Sequence, residues 1–201
     1  MSNLEYKTEG SHEAQPKPFR RFVQRFRVTT GFAIAPLLLI AARPTRLSLI
    51  VGAVTSVIGL TIRAWASGYL KKNQELTVSG PYARTRNPLY FGTFILGAGV
   101  AIGSGSWWFT LVFIALYLLI YVPVMSAEAD TMRQMFPGDY ESYSREVPLF
   151  LPRLTPYSKQ QETRSNEKSF DLSLYLRYRE YRAAIGCAVV FLLMIAKMSF
   201  L

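Results

Sequence analysis

Histidine occurs once and cysteine once in 201 residues. His12 stands alone in a polar leader, which excludes a histidine-rich zinc site and argues against a Ser-His-Asp triad or a Cys-His pair. Cys187, inside an apolar run, has no partner for an intramolecular disulfide. Acidic residues are scarce as well: 13 Asp and Glu face 23 Lys and Arg, a net charge of +10. In a soluble domain that excess would suggest nucleic acid as a partner. Here the basic residues stand between long apolar runs, which points to a membrane surface bearing anionic lipid instead. Half the residues are hydrophobic, and they gather in runs near the roughly 17–25 residues that cross a bilayer. A cleavable signal is not expected, because residues 1–19 are polar and no small-residue cleavage site follows the first apolar run.

What is present is a polar arm and a series of apolar runs. Residues 1–27 form the arm, ending "FRRFVQRFR"; residues 28–201 read as one membrane domain. The runs cover 28–42, 47–70 (interrupted by Arg63), 88–103, 107–127 and 183–201, with turns at "RPTR" (43–46) and "GSGS" (103–106). The expected fold is therefore an all-α, polytopic integral membrane protein with five transmembrane helices. Arg20, Arg21, Arg25 and Arg27 lie before the first run, and Lys71, Lys72, Arg84 and Arg86 lie between the second and third. Nine further Lys and Arg from Arg133 to Arg182 follow the fourth run. Alternate loops thus share the positive charge, which assigns that side to the cytosol; only "RPTR" votes against it. The third span then starts, and the fourth ends, at the cytosolic face. "GPYARTRNPLY" (80–90) and "SAEADTMRQMFPGDYESY" (126–143) are brought together there.

Asn87 followed by Pro88 is a helix start: Asn suits the N-cap and Pro the first helical position. Such a mouth presents unpaired N–H groups to an anion, and Arg86 adds a full positive charge beside it. The competing reading is that Arg86 snorkels to lipid phosphates. Tyr82 and Tyr90 fit either an interfacial belt or a ligand wall. Gly99 and Gly103 have helix-packing spacing, whereas Gly92, a turn below the mouth, would also let a ligand approach the backbone. Glu128 at a membrane boundary calls for a partner. Arg63 is expected to pair with it, to anchor an anionic ligand or to snorkel. Phe136, Tyr140 and Tyr143 share a helical face, expected to rest on the membrane; "VPLFLP" is apolar enough to re-enter the interface. "LYLRYREYRAAIG" reads as an interfacial helix leading into the last span.

Together, "GPYARTRNPLYFG" and "EADTMRQMFPGDYESYSREVP" resemble the superfamily of isoprenylcysteine carboxyl methyltransferases and phospholipid methyltransferases. That family's pattern is a Gly-x-Tyr turn and Arg-His/Asn-Pro-x-Tyr-x-Gly opening a span. An acidic motif follows the next span, ahead of Phe-Gly-x-x-Tyr-x-x-Tyr and Val-Pro. The likeness covers residues from about 60 to 157. It implies S-adenosyl-L-methionine as methyl donor, contacted by Gln74, Glu75, Leu76, Thr77, Tyr82, Asn87, Pro88, Leu89, Tyr90 and Glu128. It also implies a lipophilic or lipid-modified acceptor, a carboxylate first and a lipid amine second, with Arg86 and Arg63 available to the acceptor. Three positions depart from the pattern: Asn87 replaces the common His, Ala129 the second acid, and Val124 an Arg associated with substrate in the eukaryotic prenylcysteine enzymes. An NADPH-dependent reductase of the sterol-reductase type and a catalytically silent membrane scaffold are the alternatives from other classes.

Overall fold

The computed structural model describes residues 41–70, 76–158 and 170–200. The arm and residues 28–40 of the first apolar run lie outside them. The described residues form helices joined by loops and turns, with no strand among them: α1 (Arg46–Ser67), α2 (Pro88–Gly103), α3 (Trp107–Met135), α4 (Asp139–Glu146), α5 (Leu172–Arg177) and α6 (Tyr181–Ser199). A short 3-10 helix, Gly80–Ala83, precedes α2. α1, α3 and α6 are long and apolar enough to cross a membrane, and α2 is a shorter apolar helix of 16 residues. The chain is a polytopic membrane protein.

Local chemistry starts these helices. Thr45 caps α1 by accepting from the Ser48 amide at 3.1 Å, while the Ser48 hydroxyl accepts from the Thr45 amide at 2.9 Å. That reciprocal box satisfies two amides that the helix leaves open. α2 begins at Pro88, as its ring geometry favours. α3 runs past the expected 127 to Met135, so Glu128 stands on a helical turn rather than in a loop.

α1 and α2 pack antiparallel through small residues. Gly52, Ser56 and Gly59 of α1 meet Gly103, Gly99, Leu96 and Gly92 of α2. A Cβ added to Gly99 would stand 2.5 Å from the Ser56 amide nitrogen, and one added to Gly52 would stand 2.5 Å from the Gly99 carbonyl oxygen. The Ser56 hydroxyl donates to the Leu96 carbonyl across the same seam, at 3.3 Å. In lipid no hydrophobic gradient drives helices together, so close backbone approach and such hydrogen bonds supply the association. Leu47, Ile50, Val54 and Val57 remain exposed elsewhere on α1. Toward the far end, Leu49 and Met194 form a buried pair with Val100, Phe109, Val190, Phe191 and Met198 around it, which seats α6.

α4 departs from expectation. Its tyrosines Tyr140 and Tyr143 are buried with Val147, packed by Leu76, Val78, Ala129, Met132, Phe136 and Tyr157. The aromatic face therefore turns into the protein rather than onto lipid, because the residues around 76–78 and the end of α3 supply a drier partner. α5 keeps Leu172 and Leu176 exposed, in line with an interfacial helix. Asp171 caps it, accepting from the Ser173 amide at 2.8 Å, and the hydrogen bonds from the Ser173 hydroxyl and then its amide hold the carboxyl below the usual range. Between α5 and α6, Arg179 adopts φ 54°, a left-handed conformation unusual for a residue with a side chain.

The seam predicts opposite outcomes for two similar substitutions. Gly99→Ala should lower thermal stability in detergent by about 1–3 kcal/mol, the usual scale of overpacking. Gly186→Ala on α6, where nothing lies within 4 Å of the new Cβ, should stabilise by roughly 0.5–1 kcal/mol through helix propensity. Equal melting temperatures for the two variants would remove the close-contact account of α1 and α2.

Candidate functional site

The turn before α2 is built on a fixed backbone. Gly80 has φ 60°, Pro81 follows it, and Tyr82, Ala83 and Thr85 are buried. Within the turn, Tyr82 N–H donates to the Ser79 carbonyl, and Arg84 and Thr85 N–H donate to the Pro81 carbonyl. A second segment, residues 143–157, pairs with much of the rest. Arg86 N–H donates to the Pro148 carbonyl at 3.0 Å, and the Thr85 hydroxyl donates to the Phe150 carbonyl at 2.8 Å. In return, Arg153 N–H donates to the Arg84 carbonyl at 2.9 Å and Tyr157 N–H to the Ala83 carbonyl at 2.8 Å. The Tyr143 hydroxyl donates to the Tyr82 carbonyl at 2.6 Å. Phe150 enters the bundle between Phe91 and Phe94, with ring centroids 5.8 and 5.6 Å away. Through Phe150, "VPLFLP" packs on the aromatic side of α2 and acts as a clamp on the loop.

Asn87 occupies the N-cap position, but its side chain makes no capping hydrogen bond. Its amide instead donates to the Leu149 carbonyl at 2.9 Å. The capping expectation is corrected: the clamp segment offers an open carbonyl that competes for the side chain. Pro88 is fully buried at the first helical position, and Leu89 is half-buried behind it.

Tyr90 and Glu128 meet. The Tyr90 hydroxyl donates to the Glu128 carboxylate at 2.8 Å, joining two motifs 38 residues apart. The Tyr117 hydroxyl donates to the Tyr90 carbonyl at 2.7 Å. Tyr117 stacks on Tyr121 at 4.1 Å, and Tyr121 meets the Tyr90 ring edge-on at 5.5 Å. An aromatic wall therefore runs from within the bundle up to the carboxylate.

The two arginines have separate surroundings. Arg63 is not paired with Glu128: its guanidinium binds Glu180 at 2.7 and 3.1 Å and donates to the Thr93 hydroxyl. Its stem lies over Gly92, where an added Cβ would be 2.8 Å from the Arg63 Cγ. The space at Gly92 is thus occupied by Arg63 rather than open to a ligand. Arg86 donates to the Tyr140 hydroxyl at 3.0 Å and lies 5.8 Å over that ring, while its Nε is buried without a partner.

Gln74 and Glu75 lie outside the described residues. Leu76 packs against the α4 tyrosines, and Thr77 is buried. The hydroxyls of Thr77 and Ser79 are buried and have no hydrogen-bond partner. Such orphans cost about 1–3 kcal/mol each unless something satisfies them. Burial pushes the Tyr82 phenol well above its ordinary range, and the fields of Tyr143, Tyr178, Glu128 and Glu180 push it the same way. Tyr143 is raised too, chiefly by burial. Both phenols therefore stay protonated, Tyr143 as the donor already described. The site groups a neutral phenol, two carboxylates and a buried arginine edge at one end of the bundle. Sequence reasoning missed Thr93, Tyr117, Glu180 and the side-chain role of Tyr143. The EADTMRQMF-to-Tyr143 spacing hinted at the last, but nothing local marks Glu180 as the partner of Arg63.

The sequence model of the family described as phospholipid methyltransferase matches residues 38–139. Two curated proteins are similar to the chain. One is the nickel-cobalt-cadmium resistance protein NccN of Alcaligenes xylosoxydans xylosoxydans, 27% identical over 173 residues, covering 80% of this chain and 81% of that protein. The other is the cobalt-zinc-cadmium resistance protein CzcN of Cupriavidus metallidurans, 31% identical over 142 residues, covering 66% of this chain and 64% of that protein. No solved structure matches significantly.

The position of Asn87 yields a direct test. Asn87→Asp would keep a good capping residue but set a carboxylate against the Leu149 carbonyl. It should lose about 1–3 kcal/mol, the cost of an unmade buried hydrogen bond, and should expose residues 147–157 to limited proteolysis. An Asp variant as stable and as protected as wild type would return Asn87 to a simple capping role.

Proposed function

The chain belongs to the phospholipid methyltransferase family, and from that membership we propose that it transfers a methyl group from S-adenosyl-L-methionine to a lipophilic acceptor at the cytosolic face of a membrane. The observation that carries the proposal is the Tyr90–Glu128 hydrogen bond, at 2.8 Å, beside a loop whose buried polar atoms lack partners. These residues fit the donor's chemistry. Its carboxylate suits the free Arg86 Nε and the α2 mouth, and its hydroxyls suit Thr77 and Ser79. Its ammonium or ribose suits Glu128, whose carboxylate Tyr90 holds in place. Tyr82, Pro88, Leu89 and Leu76 supply apolar wall, with Gln74 and Glu75 assigned to the same role by position. When bound, the donor supplies an electrophilic methyl on a sulfonium, open to in-line attack. Orientation and exclusion of water by these side chains then provide much of the acceleration.

A carboxylate acceptor is the first reading, and it would have to share Arg86 with the donor's own carboxylate. A lipid amine is the second, and a specific observation favours it: Glu180 and Thr93 already engage Arg63, and Val124 offers no charge. The metal-resistance names of the two relatives suggest a physiological setting. Among the described residues, no group of three or more His, Cys, Asp or Glu is placed to hold a metal ion. Under this reading any protection against metals comes from the methylated product.

Incubating membranes with radiolabelled donor should label a lipid-extractable product. Label released by mild alkali as volatile methanol identifies a methyl ester, and label that stays non-volatile identifies an N-methyl amine; absence of any transfer defeats the proposal. Glu128→Ala should weaken S-adenosylhomocysteine binding by about 1.5–3 kcal/mol, as loss of a hydrogen bond to a charged group does. A folded variant that binds as wild type does would take Glu128 out of the site. Stabilisation of the wild type by NADPH and not by S-adenosylhomocysteine would favour a reductase instead. For orientation, in a Cys187→Ser background, Ser158→Cys should react only with reagent on the cytosolic side and Arg43→Cys only from the other side. Modification of both from one side would overturn the topology.

A further inference from the structure

The Arg63–Glu180 pair is unusual in position and in what surrounds it. It joins residues 117 apart in sequence, at the start of the last span and a turn before the end of α1. Both side chains are largely withdrawn from solvent, with 20% and 12% exposed. A half-buried ion pair is weak evidence for stability, since desolvation offsets much of its attraction, and its commoner use is to fix one arrangement among several. The residue before Glu180, Arg179, holds φ 54°. Backbone strain of that kind persists where surrounding contacts overdetermine it, and it gathers at functional positions. Those contacts are present: the Tyr178 hydroxyl donates to the Leu70 carbonyl at 3.2 Å, and the Asp171 amide donates to the Gly68 carbonyl at 3.0 Å.

The pair also reaches the donor site by a continuous path. Arg63 crosses α2 at Gly92 and donates to Thr93. The Thr93 hydroxyl in turn donates to the Leu89 carbonyl at 2.8 Å, one residue before Tyr90. Tyr90 holds Glu128. α2 is therefore gripped near its mouth on two sides, by Glu128 through Tyr90 and by Glu180 through Arg63 and Thr93. We propose that Glu180 is a positioning residue for the donor site: by holding Arg63 across Gly92 it docks the last span on the mouth of α2 and fixes the turn that presents Tyr90. This rests on the methyltransferase reading above, and it assigns Arg63 to the scaffold of the site rather than to the acceptor.

The test is a double-mutant cycle on S-adenosylhomocysteine affinity in detergent-purified protein. Glu180→Gln, Arg63→Met and the double variant are compared with wild type, together with melting temperature and the kcat and KM for the donor. If Glu180 acts through Arg63, each single substitution should weaken binding roughly tenfold, a scale found for coupled neighbours, and the double should be no worse than either single. The loss should fall on donor KM more than on kcat, and Glu180→Asp, which keeps the charge, should recover part of it. Losses that multiply in the double variant would mean that Glu180 meets the ligand independently. Wild-type affinity in Glu180→Gln, with only a lower melting temperature, would make the pair purely structural; either result overturns the proposal. Should a single variant fail to fold, the double variant, which carries no unpaired charge, decides the matter: wild-type affinity in it refutes the assignment. Failure of the wild type itself to bind S-adenosylhomocysteine would instead count against the methyltransferase reading.

Discussion

Two helix backbones approach each other so closely that four glycines in the seam have no room for a side chain. At Gly52, Gly59, Gly92 and Gly99 a methyl group would meet the partner helix's backbone or the base of its side chains. This contact does more than hold α1 to α2. It sets the end of α1 beside the start of α2, so the stem of Arg63 crosses Gly92 and its guanidinium finds Thr93. The chemistry at the mouth of α2 therefore inherits its geometry from a packing constraint inside the membrane.

A second demand is hydrogen-bond closure. Backbone groups near hydrocarbon must find partners, and an irregular loop satisfies only some of them itself. The turn carrying Tyr82 to Asn87 solves this by borrowing the segment after α4, which returns the same service through Arg153 and Tyr157. Loop and clamp are thus interdependent, and Phe150 pins both to the aromatic side of α2. The buried Thr77 and Ser79 hydroxyls and the Arg86 Nε stand out against this closure.

Most of the fold was legible from composition, because apolar run length and basic loops follow from transfer energetics alone. The helix start at Pro88, the GxxxG packing at Gly99 and Gly103, and the nearness of the Tyr90 and Glu128 motifs also followed from local rules and topology. Three features did not. Asn87 had a good capping residue's chemistry, but a distant carbonyl outcompeted the helix end for its amide. The α4 aromatic face faces protein instead of lipid, a choice that amphipathicity alone does not make. Arg63 was given Glu128 as a possible partner, whereas its carboxylate arrives from the last span. Each miss concerns which of several polar partners wins, a question that only tertiary distance answers.

The brevity of α2 has a consequence of its own. Sixteen residues rise about 24 Å, several ångströms less than the roughly 30 Å hydrocarbon slab, while the neighbouring α3 runs for 29 residues. Were α2 to cross the bilayer, lipids beside it would have to thin to match it, at a cost of fractions of a kcal/mol per ångström. Under the proposed function, a shortfall taken up at the mouth would set it near the glycerol level instead of in open water. An amphiphile can reach it by lateral diffusion, its tail still solvated by neighbouring chains. For the proposed acceptor, capture from two dimensions would remove the penalty of extracting a greasy molecule into the aqueous phase.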